Sequence, residues 1–376
     1  MNGLEQKAKL DKKYIGIITK NINLKIANSN TLYNDFTVNM PEPQYLGCKN
    51  KILPWIFNYI PKNIKTMLDG FAGSQSFSFH SKKMEYGIYT NDFMNYSHQI
   101  GLSLIENKKE ILTRQDLQIL FSENDNKKNL MQRLFTNIFF TKEDCILLDN
   151  FRANVELLSN NYKKALALTI INRALTRKTT MGHFAHLQAL NYASNPERVK
   201  RNPNIAKGVQ EVFIQLVNDY NNAVFDNKRD NKSYCGDILE LLPNINVDLA
   251  YFDPPYCGSH ADYQSFYHLL ETYTEYWEDK QFVNKNNKYF PLKYSGFDKK
   301  IDINNSLKQL LDLSKNIPYV LFSYNSRSTP NIEDFIKLIK DFRKNIEVFE
   351  YRYSNSRGGK GSVKGSKEYL IRCSNV

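Results

Sequence analysis

The sequence predicts an α/β fold: a mostly parallel sheet that ends in an antiparallel hairpin and is interrupted by a helical insertion. Three observations carry this reading. Short apolar runs repeatedly end in an acid and are followed by a helical pattern, as strands of an open α/β sheet do when they deliver ligand-binding groups at their carboxyl ends. The stretch from about 95 to 231 shows helical periodicity and no strand pattern, and is far too long for a loop. Two extended runs, about 346–353 and 367–373, follow the last helix.

Taken in order, residues 1 to about 40 are polar and mixed, and they suggest no chemistry. Tyr45-Leu46-Gly47-Cys48-Lys49 then feeds a helix whose apolar residues Leu53, Ile56, Phe57 and Ile60 share one face. Residues 65–71 read as a strand running into the small-residue turn Ala72-Gly73-Ser74-Gln75 and a helix from Ser76. Such a turn lets a ligand approach the backbone, with helix N–H groups beyond it. A second strand, Gly87 to Thr90, ends in Asn91-Asp92, an acid placed to bind both hydroxyls of a ribose.

Helical patterns follow around 95–112, 128–139, 143–176 and 206–224. Arg177, Lys178, Arg198, Lys200, Arg201 and Lys207 stand there against the single acid Glu197, the excess expected of a phosphate-contacting surface or of a solvated face. His183 and His186 lack further ligands, so no metal site is expected. The strand 232–236 leads to Asp237 and Ile238. Asp237 suits either an adenine amino group or the N-cap of the helix DILELL. Beyond 256, Tyr263, Phe266, Tyr267, Tyr273, Tyr276 and Trp277 are expected to divide between a base pocket and the core. Tyr319 to Tyr324 is a buried strand and 331–343 a helix. The connection between the last two strands carries Arg357, Lys360, Lys364 and Lys367 without an acid, and suits nucleic acid backbone.

The most informative stretch is Leu249 to Tyr256, a buried strand ending in Asp253-Pro254-Pro255-Tyr256. The prolines fix φ, bias Asp253 toward an extended conformation and leave a carbonyl with no N–H beside it. An acid, a bare carbonyl and an aromatic face suit a planar amino group on an aromatic ring, such as N6 of adenine. If Asp253 and the Pro254 carbonyl each accept one N–H, the nitrogen is drawn toward a tetrahedral shape with its lone pair free. Tyr256 could stack on a base that has left the helix.

Bulk properties narrow the classes. A formal charge of +12 and a pI near 9.2 favour a polyanionic partner. Five scattered cysteines, never paired as CxxC, argue against a disulfide framework or a zinc ribbon and for a reducing compartment. No apolar run approaches the roughly 18 residues of a membrane span, and charges interrupt the first twenty residues where a signal peptide would be apolar; a cytoplasmic protein is expected.

Taken together, Lys49 within YLGCK, Asp69-Gly70-Phe71-Ala72-Gly73, Asn91-Asp92, DPPY at 253–256 and FSYNS at 322–326 resemble the successive motifs of bacterial DNA adenine-N6 methyltransferases in which cofactor motifs precede DPPY. The resemblance implies a Rossmann-like sheet and S-adenosylmethionine as cofactor, with S-adenosylhomocysteine as product and no metal. It places Tyr45, Lys49, Asp69, Phe71, Ala72, Gly73, Asp92, Asp237, Ile238 and Asp253 against the cofactor, Lys49 near its carboxylate, Asp92 on the ribose and Asp237 at the adenine. It also implies a catalytic domain from 41–112 and 232–376, a DNA target-recognition insertion at 113–231, and a separate extension at 1–40. Gln75 stands where the family commonly has a second glycine, so crowding at the methionine end is expected, and Cys48 stands where Ser or Gly is usual. The implied partner is double-stranded DNA, met by a monomer or weak dimer, and whether a restriction endonuclease accompanies it stays open. Rival readings are methylation of cytosine N4, RNA adenine or a protein amide, and a catalytically silent DNA-binding protein.

Overall fold

The computed structural model describes residues 38–43, 45–179, 182–185, 189–255, 262–283, 288–352 and 367–375. Tyr256, His186, Arg357, Lys360, Lys364 and the extension up to residue 37 lie outside them. The strands are β1 (Thr66–Asp69), β2 (Gly87–Asp92), β3 (Lys232–Cys235), β4 (Leu249–Phe252), β5 (Gln281–Val283), β6 (Lys288–Phe290), β7 (Tyr319–Asn325), β8 (Asn345–Arg352) and β9 (Lys367–Ser374). Seven of them form one sheet in the order β3-β2-β1-β4-β7-β9-β8. The first five run parallel, and β9 pairs antiparallel with both β7 and β8. The expected α/β sheet with its C-terminal antiparallel pair is therefore present.

Burial explains why the central strands are nearly unbroken apolar runs. All four residues of β4 are buried, as are Met67, Leu68 and Asp69 of β1, because helices cover both faces. One face packs Leu68, Ala250, Phe252, Val320 and Phe322 against the helices Ile303–Leu313 and Ile332–Lys340. On the other, Phe77 of the helix Ser76–Lys83 stacks on Tyr251, with ring centroids 4.0 Å apart. At Gly70 a Cβ would lie 2.6 Å from the Phe252 ring, so only glycine lets the end of β1 lie this close to β4.

The chain runs outward from β1 to β2 and β3 and then returns to β4 on the other side of β1. The strand order thus reverses between β1 and β4, and the crevice at their carboxyl ends is where such sheets bind ligands. Between β2 and β3 the chain is helical, as its periodicity indicates. The predicted segment 143–176 is two helices, Lys142–Val155 and Asn161–Arg177. The break comes at Asn160, whose side chain accepts from the Lys163 N–H at 3.0 Å and starts the second helix. From Val38 onward, the described helices and sheet pack as a single unit. Among the described residues no helix is long and apolar enough to cross a membrane.

Candidate active site

The turn after β1 and the acid after β2 build one wall of a cleft at the crevice. Asp92 is not simply displayed. Its Oδ2 accepts from the Gly73 N–H at 2.7 Å and its Oδ1 from the Met94 N–H at 2.8 Å, so it holds the turn in place. Burial pushes the Asp92 carboxyl up to about 6, against the pull of those two N–H groups. Asn91 ties the neighbouring strand ends together through the carbonyls of Gly70 and Gly236, at 3.3 and 3.1 Å. Gly73 has φ +49°, and a Cβ there would meet the Tyr45 ring at 2.9 Å. Tyr45 in turn packs on Tyr263 and Tyr267, its ring 5.6 and 5.0 Å from theirs, and those two rings are 6.5 Å from each other.

Gln75 does not crowd the cleft. It adopts φ 63°, the left-handed conformation that makes glycine common at such a position, and its side chain turns inward and is fully buried. There it accepts from the Thr90 hydroxyl at 2.6 Å and donates to the Ser97 carbonyl at 3.4 Å. Cys48 packs on the cleft side with its Sγ 3.2 Å from the Ser76 hydroxyl.

Tyr45, Lys49, Asp69, Phe71, Ala72, Gly73, Asp92, Asp237, Ile238, Asp253, Pro254 and Pro255, every predicted cofactor-binding residue and the described catalytic ones, line this one cleft. Asp69 is buried with Oδ2 accepting from Ser78 at 2.7 Å and no partner on Oδ1, and burial drives its carboxyl up to about 7. Asp237 does cap its helix, accepting from the Leu239 N–H at 2.9 Å, and also faces the cleft beside Gly236, where a Cβ would meet nothing within 4 Å. An open space next to a carboxylate at one end, and further in a buried acid with one oxygen left without a partner, are compatible with the nucleoside and amino-acid ends of S-adenosylmethionine.

Asp253 leaves β4 into this cleft, and Lys49 meets it. The Lys49 ammonium lies 2.8 and 3.0 Å from the two Asp253 oxygens, 3.2 Å from the Gly47 carbonyl and 3.4 Å from Glu368 of β9. Lys49, expected beside a cofactor carboxylate, is thus engaged by the chain's own acids. The far wall also comes from residues that no motif signalled. Ser295, Phe297 and Asp298 line it, and Phe297 sits edge-on to Phe71 at 4.9 Å. Behind them Glu271 is fully buried. It accepts from the Asn95 and Tyr96 N–H groups at 3.1 Å each and pairs with Lys293 at 2.8 Å, which locks the segment after β4 to the helix after β2. Of the aromatic series, Tyr263 lines the cleft, whereas Tyr267 and Tyr273 are core.

The basic candidates of the insertion separate. Lys200 and Arg201 are exposed on the helix Pro196–Arg201, and Arg198 lies over the Tyr192 ring at 3.7 Å. Arg177 is half-buried, and Lys207 pairs with Glu211 at 3.3 Å. Lys178 is a correction: it is buried, 3.2 Å from Asp144, and donates to the Lys207 carbonyl, so it knits helices together and presents no charge to a partner. His183 is buried against the Phe266 ring, and among the described residues no group of His, Cys, Asp or Glu could hold a metal.

A family model described as D12 class N6 adenine-specific DNA methyltransferase matches residues 45–338. The chain is 33% identical over 346 residues to the Type II methyltransferase M2.HphI of Haemophilus parahaemolyticus, covering 89% of this chain and 98% of that protein. It is 24% identical over 359 residues to modification methylase LlaI of Lactococcus lactis subsp. lactis, covering 87% of this chain and 54% of that one. To modification methylase StsI of Streptococcus sanguinis it is 24% identical over 336 residues, covering 80% of this chain and 46% of that one. The chain thus spans about half the length of the latter two.

Proposed function

The chain belongs to the D12 class of N6 adenine-specific DNA methyltransferases, and from that premise we propose that it uses S-adenosylmethionine to methylate N6 of an adenine turned out of double-stranded DNA. The observation that carries the reading is the meeting of Asp253 and Pro254 with the Gly70–Gly73 turn in one cleft. When bound, S-adenosylmethionine supplies a sulfonium methyl as electrophile and leaves as S-adenosylhomocysteine. The turn would run beneath it, Asp237 and Ile238 would meet its adenine, Asp92 the ribose and Asp69 its amino group.

Asp253 and the Pro254 carbonyl accept the two N–H bonds of the target amine, which localises the nitrogen lone pair and aims it into the cleft. Pro255 stiffens the turn, and Tyr256 stacks on the extruded base. No side chain acts as a covalent nucleophile. We assign DNA contact to Lys200, Arg201, Arg198, Arg177 and Lys207 of the insertion and to Arg357, Lys360 and Lys364, and the biological role to restriction-modification or epigenetic marking.

Expression in a methylation-free host followed by single-molecule sequencing of the genomic DNA tests the reaction. A recurring motif containing N6-methyladenine is the expected result, and no modified adenine together with no label transfer from S-adenosylmethionine would leave a silent DNA-binding protein. Asp253→Ala should abolish transfer while cofactor binding stays measurable by calorimetry; full activity in that variant would refute the assignment.

A further inference from the structure

The Lys49 ammonium is met by one local acceptor, the Gly47 carbonyl at 3.2 Å, and by two from distant parts of the chain, the Asp253 carboxylate at 2.8 Å and Glu368 Oε1 at 3.4 Å. An ammonium has three N–H donors, and acceptors in three directions fix where it points. Glu368 is 1% exposed, sits opposite Asn325 of β7 and Tyr351 of β8, and has its Oε2 held by the Asn325 side chain at 3.4 Å. It does not line the cleft, so it reaches the reacting groups through Lys49.

A lysine left with Asp253 alone would settle over that carboxylate as a tight pair and compete with an incoming amine for its lone pairs. Two carboxylates sharing one ammonium divide its pull, and the second, clamped in an interior strand, sets its direction. We propose that Glu368 is a positioning residue for methyl transfer: by sharing Lys49 with Asp253, it holds the Asp253 carboxylate aligned with the Pro254 carbonyl and open to the target N–H. This rests on the methyltransferase reading above.

Among the described residues, the charged and titratable groups around Asp253 include Lys49, Glu368, Asp69 of β1, Tyr251 of β4 and Tyr263 of the helix Tyr263–Phe266. Glu368→Gln keeps the size of the side chain and its reach to Asn325 while removing the charge. The expected result is a fall in kcat of about a hundredfold, the loss that an ångström of misplacement brings. KM for DNA and the dissociation constant for S-adenosylmethionine should stay within about twofold, a change under 0.5 kcal/mol being too small to signal lost binding. The acid limb of the kcat profile should move to lower pH, because Asp253 loses a like charge and gains a closer cation.

In a Lys49→Met background, Glu368→Gln should bring no further loss, as expected of residues acting through one another. Glu368→Asp, which retains charge but withdraws it by one methylene, should fall between wild type and Glu368→Gln; it also serves if the Gln variant does not fold. An unchanged kcat and pH profile, or losses additive with Lys49→Met, overturn the inference while leaving the enzyme assignment intact. A lower melting temperature with an unmoved pH limb would also overturn it by reducing Glu368 to a structural part. A wild-type protein that labels no DNA adenine would instead sink the function on which the inference depends.

Discussion

At the scale of single residues, the cleft stores two testable tensions. Burial raises Asp69 from the ordinary 3.8 to about 7. Because the folded value lies above the unfolded one, the extra proton stabilises the fold fully below about pH 4, and that contribution is lost as the pH rises through about 7. The ligand-free protein should therefore lose melting temperature across this window, and Asp69→Asn should flatten the decline. Asp92, raised to about 6, would leave a residual slope of the same sign. Gly73 is the second tension. An alanine would carry the left-handed penalty of about 1–2 kcal/mol and push the Tyr45 ring, so Gly73→Ala should weaken cofactor binding roughly tenfold by calorimetry.

At the scale of elements, the strands were legible and their meeting points were not. β1, β2, β4 and β7 stand out because burial on both faces demands apolar runs and the acids Asp92 and Asp253 mark where two of them reach the crevice. The hairpin of β5 and β6 is invisible to periodicity, since three-residue strands show barely one alternation. The inward turn of Gln75 follows from a backbone angle, and the burial of Lys178 from the approach of Asp144 out of another helix. Neither is a local property of sequence. The same holds for the joining of Lys49, Asp253 and Glu368, and for Glu271, which no pattern flagged. Glu271→Ala takes an acceptor from the half-buried Lys293 and leaves the Asn95 and Tyr96 N–H groups without theirs. It should destabilise by about 1–3 kcal/mol, read as a lower denaturation midpoint at an unchanged m-value.

For the whole molecule, a charge of +12 makes DNA binding strongly dependent on salt, but the structure distinguishes which cations can contribute. Lys200 and Arg201 are exposed, and replacing either with alanine should reduce the slope of log K against log salt by about one for each phosphate no longer neutralised. Lys178→Ala should leave that slope alone and lower the melting temperature instead, because its charge is spent on Asp144 inside the fold.

The position of β9 bears on how the protein is made. It is an interior strand with hydrogen-bonding neighbours on both sides, and β8 joins the sheet through it. A nascent chain that has emerged from the ribosome only as far as β8 therefore presents the raw edge of β7 and a strand with nowhere to dock, the kind of surface that recruits chaperones or pairs with a neighbour. Glu368 arrives with that same late strand. On the proposed role of Glu368, completion of the sheet and alignment of the Asp253 carboxylate would then be one event in synthesis.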